Sequence, residues 1–292
     1  MNGFWQDVRF GLRVLTKNPG FTAVAILTLA LGIGANSALF SVVNGVLLKP
    51  LPFPEPDRLY AIYSSSPTFQ HSSIAYPNFL DWQKQNRSFS ALGAFRSANY
   101  NLTGSGEPER LHAHMISADF FPALGINPML GRNFTSEEDR AGGNPVVVLG
   151  ERLWKRKFAS SPGVLGKSIT LNATPYTIIG VAQSHITELS DTDVYVPIGQ
   201  WTDPAFLNRR ISMGLNGFAR LKPGVTLPQA QADMDAVAHN LAEAYPDANK
   251  GRGISLVPFK TDAVGDVQAT LWILMGAVGL VLLIACANVA NL

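Results

Sequence analysis

Cysteine is almost missing. Cys286 is the only one in 292 residues, and it lies in an apolar run. An intramolecular disulfide is therefore excluded, as is a metal site built on cysteine. Charged residues make up only 15% of the chain, below the ~25% usual for soluble domains. They are missing from particular places rather than thinned throughout: residues 18–48 and 267–292 carry none, over runs of 31 and 26 residues. Once Arg9, Arg13, Lys17 and Asp7 are set aside, residues 49–266 hold 20 basic and 20 acidic side chains. A neutral domain with no basic run has no electrostatic footprint for nucleic acid, so no nucleic-acid partner is expected.

Both uncharged runs exceed the ~20 apolar residues needed to cross a bilayer. The first reads as a membrane helix over 18–48. It carries a band of small residues, Gly32, Gly34, Ala35, Ser37 and Ala38, with the amides of Asn36 and Asn44. Small residues let helices approach closely in lipid, and buried amides bond across helices, so partner helices are expected. A cleaved signal peptide is disfavoured, because its apolar region runs ~7–15 residues. The second helix is expected over 267–292. Its last residues, including Asn288 and Asn291, still read as membrane, so this span reads as cut short.

Three basic residues precede the first span, which by the positive-inside rule puts the N-terminus in the cytoplasm and residues 49–266 outside. Over 1–17, Trp5, Val8, Leu12 and Leu15 fall on one helical face with Arg9 and Arg13 off it. That pattern suits an amphipathic helix lying on the cytoplasmic lipid surface.

The intervening segment reads as mixed α and β. Strands are expected at 59–65, 93–102, 110–117, 145–149, 168–171, 176–181, 194–198, 214–221 and 254–259. Asn172 marks a hairpin turn. Helices are expected to start at Pro77, at 118–124, at Ser136 and at 151–158. The longest is expected at 227–245, where Met234, Val237, Leu241 and Ala244 recur at helical spacing. Hairpins mixed with helices argue for an α+β domain, and its length suggests two subdomains.

Candidate chemistry is weak. Gly163–Ser168 resembles a phosphate loop, but Ser161 stands where its first glycine belongs and a strand, not a helix, follows. His112 and His114 share a strand face with Glu107 and Glu109 upstream. A metal needs more converging ligands, and solvent-facing histidines are the simpler expectation. Glu137, Glu138 and Asp139 read as a helix start. Arg152, Lys155, Arg156 and Lys157 read as a solvated helix face. Glycosylation sequons at Asn86, Asn101, Asn133 and Asn172 matter only in a secretory host. Neither a Gly-x-Ser-x-Gly elbow nor a His-Glu-x-x-His pair occurs. No catalytic, cofactor-binding or metal residue is nominated, and no enzyme activity or cofactor is expected.

The opening DVRFGLRVLTKNPGFTAVAILTLALGIGANSALFSVVNGVLLKPLPFPEPDRL resembles FtsX/MacB-type ABC transporter permeases, most closely the long duplicated permeases of acidobacteria. LGINPMLGRNFTSEED, VVVLGERLWKRKF, GKSITLNATPYTIIGV and ARLKPGVTLPQAQADM are similar to a MacB-like periplasmic core domain. The last segment resembles the start of an FtsX-like permease region. The resemblance implies an α+β extracytoplasmic domain inserted between two transmembrane helices of the bacterial inner membrane. It also implies a cytoplasmic ABC ATPase as partner, with further permease helices or a second permease copy, membrane lipid and a periplasmic partner. The implied function is coupling of ATP hydrolysis elsewhere to movement of the domain. The alternative is an anchored periplasmic binding or adaptor domain working without an ATPase.

Overall fold

The computed structural model describes residues 19–49, 51–104, 106–184, 191–211 and 214–290, with Trp5 and Arg13. The expected amphipathic face over 1–17 lies outside the described residues apart from Trp5 and Arg13, as does Asn291. Two compact units are present, Met1–Pro50 with Ala263–Leu292, and Leu51–Asp262.

In the first unit, helix α1 spans Pro19–Val43 and continues as a π-helical turn, Asn44–Leu48. Proline suits its first turn. Lys49 leaves the helix extended (ψ 133°) because it precedes Pro50. Thr22–Val43 is long and apolar enough to cross a membrane, and so is Val267–Ala287 in the last helix. Neither is the core helix of a soluble domain: Leu31 is 77% exposed and Ile273 73%.

In the second unit the elements run β1 (Leu59–Ser65), α2 (Tyr76–Gln85), β2 (Phe89–Thr103), β3 (Glu109–Ile116), α3 (Phe120–Leu124), β4 (Leu130–Gly131), β5 (Val146–Gly150) and α4 (Glu151–Phe158). There follow β6 (Ser168–Leu171), β7 (Thr174–Ala182), β8 (Val194–Pro197), α5 (Pro204–Asn208), β9 (Asn216–Leu221), α6 (Leu227–Ala244), α7 (Pro246–Asn249) and β10 (Gly253–Pro258). Helix α8 starts immediately after, at Phe259, and continues to Ala290. It therefore begins well before residue 267.

The strands form one sheet with two regions that share β2. Strands β10, β1, β9 and β2 make an antiparallel ribbon. Strands β2, β3, β8, β5, β7 and β6 pair in turn, and β6 returns to β2 at Leu102↔Leu171, closing a six-strand ring. Phe95 is the hand-over point, opposite Asn216 of β9 on one side and Ile116 of β3 on the other. The two subdomains expected from length thus share a strand, and Leu51–Asp262 is one compact unit. The hairpin turn of the ring places Asn172 and Ala173 at φ 48° and 65°, a conformation asparagine tolerates better than most residues. The Asn172 side chain accepts from the Asn101 amide at 2.9 Å, and the Asn172 amide donates to the Asn101 carbonyl at 3.0 Å. That exchange fastens the hairpin to β2.

Alternation along the strands sorts two cores. One face buries Leu111, Val147, Leu149, Leu171 and Val194 with the apolar sides of α2, α4 and α6. The opposite face buries Phe95, Tyr195 and Phe218 with Phe120, Phe121 and Leu124 of α3. Each fully buried Val, Leu, Ile or Phe stabilises by about 1.5–3 kcal/mol. Helix α6 turns Ala230, Met234, Val237 and Leu241 inward. Gln229 closes its first turn by accepting from the Thr226 amide at 2.9 Å.

One expected element does not form. Ser136 opens a turn rather than a helix. Glu138 folds back to accept from the Thr135 amide, Asp139 is drawn to the amides of Ala118 and Gly199, and Gly142 turns the chain at φ 75°. The two long-range bonds of Asp139 and the local one of Glu138 outweigh the dipole preference of a run of carboxylates. The short elements β4, α5 and α7 had no expectation from the sequence.

Candidate functional site: a helix pair and a polar cleft

In the first unit, α1 and α8 meet through one face of the small-residue band. A Cβ at Gly32 would lie 3.0 Å from Leu282 Cδ1. One turn on, the Asn36 side-chain amide donates to the Gly32 carbonyl at 2.8 Å and to the Val278 carbonyl at 3.2 Å. In an apolar surrounding an amide without partners is costly, so this bond also fixes the register of the pair. Gly34 faces nothing within 4 Å. It belongs with Gly32 to the small-residue band, yet it turns away from α8, because residues two apart on a helix point in different directions. The side chain of Asn288 lies outside the described residues.

In the second unit, the sheet face that carries α3 holds a cleft of about 260 Å³. Tyr63 on β1 donates to Asp262 at the start of α8, 2.8 Å from each carboxylate oxygen. The Tyr63 ring stacks on His71 with centroids 4.8 Å apart. Phe95 and Phe218 stack at 5.1 Å and form an apolar wall. His114 closes one side, with Nε2 3.0 Å from Ser97 Oγ and Nδ1 2.8 Å from Thr192 Oγ1.

His114 is therefore half-buried and engaged at both nitrogens, not solvent-facing as expected. Burial is the main cause, and repulsion from His112 the lesser one, of a pKa pushed down to about 4. His112, two residues back on the same face of β3, is exposed. Ser97, His114 and Thr192 have the spacing of a nucleophile, a base and an orienting group. A threonine hydroxyl supplies no charge to hold an imidazolium, however, and the depressed pKa makes His114 a poor base at neutral pH. The cluster positions groups by hydrogen bonding.

The other candidates are used in packing. Arg156 pairs with Glu109, and Lys157 reaches Glu109 at 2.9 Å, so the basic face of α4 is tied to β3 rather than freely solvated. Lys157 first, then Arg156, holds the Glu109 carboxyl below its usual range. Glu138 pairs with Arg132 at 2.7 Å. Burial raises Asp139 to about 6, against the amides of Gly199 and Ala118 that favour its charged form. Pro162–Val164 is a 3-10 turn leading to β6, so the phosphate-loop look-alike opens no helix. Asn86 caps α2 through the Trp82 carbonyl, and Asn133 donates to the Ala118 carbonyl. Among the described residues no group of three His, Cys, Asp or Glu side chains converges on a common point. Sequence reasoning missed the Tyr63–Asp262 pair. No local hint marks it, since Asp266, not Asp262, borders the uncharged run.

The family model described as MacB-like periplasmic core domain matches residues 22–237. A macrolide export ATP-binding/permease protein MacB from Shigella dysenteriae is 24% identical over 250 residues, 80% of this chain and 37% of that protein. A pyoverdine export ATP-binding/permease protein PvdT from Pseudomonas entomophila is 29% identical over 82 residues, 27% of this chain and 12% of that protein. The chain thus spans little more than a third of the length of the MacB relative. Among solved structures, the periplasmic region of MacB from Actinobacillus actinomycetemcomitans superposes with a TM-score of 0.53 at 17% identity, covering 78% of this chain and 98% of that one. A domain of a protein described as a permease, from Porphyromonas gingivalis, gives 0.53 at 19% identity over 70% of this chain and 92% of that one. At these identities the structural likeness is one of fold.

Proposed function

The chain belongs to the MacB-like periplasmic core domain family of ABC transporter permeases, and from that premise we propose that it is a membrane-spanning component that couples ATP hydrolysis by a separate ATPase to movement of its periplasmic domain. The ATPase is cytoplasmic. The N-terminus lies on its side of the inner membrane, and residues 51–262 lie on the other. Further permease helices or a second copy, lipid and a periplasmic partner complete the assembly.

One observation carries this reading. The strand that follows α1 and the strand that precedes α8 are neighbours, with Tyr60 opposite Pro258. Pro258 is followed by Phe259 of α8 with no intervening loop. A displacement of α8 is delivered first to β10 and β1, and β9 and β2 then pass it to the ring. A hydrogen-bonded sheet transmits such a shift because its ladder cannot slip by one residue without turning every side chain over.

The test is hydrogen exchange on the chain assembled with its co-purifying ATPase in native membranes. ATP should alter exchange in Leu59–Ser65 and Gly253–Pro258 relative to a hydrolysis-deficient ATPase. Identical exchange in both states overturns the coupling. The cleft beside Asp262 favours a second reading, an anchored binding or adaptor domain that needs no ATPase. Under that reading, deleting ATPase genes leaves the chain's envelope associations intact.

A further inference from the structure

We propose that the cleft between β1, β9 and the start of α8 binds a small organic cation, a protonated amine bearing a short apolar body. The inference stands apart from ATPase coupling and holds whichever reading of the assembly is right.

The chemistry of the walls selects the ligand. Asp262 is the only charged residue lining the cleft among the described residues. Its carboxylate offers about four lone-pair directions, and the Tyr63 hydroxyl uses only part of that capacity. His114 does not offset the negative charge, since its burial keeps it neutral at pH 7. The remaining polar groups, Ser97 and Asn216, are neutral. An anion would meet Asp262 without a compensating cation, so anionic ligands are excluded by repulsion.

The rings supply the apolar part of the lining. Tyr63 and Phe218 both line the cleft, with one face of Tyr63 on His71 and one face of Phe218 on Phe95. Phe218 is held in place by Phe95 at 5.1 Å and by Phe259 edge-on at 5.0 Å. A carboxylate beside fixed aromatic surfaces recognises an ammonium group at one end and an apolar body at the other. At about 260 Å³ the cleft is slightly smaller than usual ligand sites, ~300–1,000 Å³. A compact monoamine fits that volume better than a large or polymeric ligand. The tyrosine further fixes the carboxylate before the ligand arrives, which lowers the ordering cost of binding.

The test is titration calorimetry on the full chain in detergent, with three probes of one shape: 2-phenylethylamine, 2-phenylethanol and phenylacetate. Heats from micelles alone are subtracted. The amine should bind, and the alcohol and the carboxylate should bind at least about tenfold more weakly, the loss expected for a charge-assisted hydrogen bond. Asp262→Asn should weaken the amine by a similar factor at unchanged circular dichroism. Equal binding of amine and alcohol overturns the proposal, as does Asp262→Asn with undiminished affinity. Absence of amine binding up to millimolar concentration also overturns it. The amine–alcohol comparison uses the unaltered protein, so it stands even if the variant fails to fold.

Discussion

The side-chain amide of Asn36 donates to the carbonyl of Val278 at 3.2 Å, joining two helices that are 242 positions apart in the chain. With Gly32 one turn away against Leu282, it makes α1 and α8 a registered pair. The rest of the small-residue band, Gly34 included, remains open on the chain itself.

Substitutions along α1 should therefore separate by face. Gly32→Ile should destabilise the pair by about 1–3 kcal/mol through overpacking, and Asn36→Leu by about 0.6–1 kcal/mol through the lost bond. Gly34→Leu should leave the pair intact. Denaturant titration of helicity in mixed micelles measures all three. A Gly34 effect as large as that of Gly32 would contradict the packing.

The proposed orientation is checked by labelling. Phe69 lies on an exposed loop between β1 and α2 and is 65% exposed. In a Cys286→Ser background, Phe69→Cys should react with a membrane-impermeant thiol reagent in spheroplasts. Reaction only after lysis would reverse the orientation.

Arg220 should prove sensitive even to a conservative change. It is 6% exposed, and it donates to the Ala123 carbonyl at 2.9 Å and to the Pro54 carbonyl at 3.0 Å. The guanidinium joins the end of α3 to the segment before β1, a span one ammonium cannot bridge in the same geometry. Arg220→Lys should cost about 2–3 kcal/mol in chemical denaturation. A midpoint equivalent to within about 0.5 kcal/mol of the parent would exclude this role.

Acid should weaken the domain through His114. Its folded pKa of about 4 lies below the ordinary 6.5. Between those values the unfolded chain binds a proton that the folded domain refuses, so the contribution is fully present above pH 6.5 and is lost as pH falls toward 4. Asp139 works in the opposite sense. Its folded pKa of about 6 exceeds the ordinary 3.8, so between pH 3.8 and 6 its contribution declines as pH rises. His114→Gln should remove the acid-induced loss and leave the Asp139 slope exposed. Stability profiles from pH 4 to 7 that coincide for parent and variant would refute the assignment.

Local pattern made much of the fold legible. The hairpin at Asn172, helix α4 and the inward face of α6 each follow from turn chemistry or spacing within a few residues. The candidate sites were less legible. Gly32 and Gly34 are equivalent in composition, and only the position of Leu282 tells them apart. His114 reads as an exposed strand residue until Thr192, 78 positions away, is placed beside it.

Sequence alone determined the two uncharged helices, the neutral mixed domain between them and the family resemblance, because absence of charge, periodicity and ordered motifs are local properties of the chain. Tertiary structure decided that 136–139 turns instead of coiling, that β2 serves both the ribbon and the ring, and that Tyr63 meets Asp262 across 199 positions. The physical reason is the same in each case. A hydrogen bond or a cleft wall contributed from a distant segment leaves no trace in local spacing, yet its energy exceeds the few tenths of a kcal/mol by which ordinary residues differ in local preference.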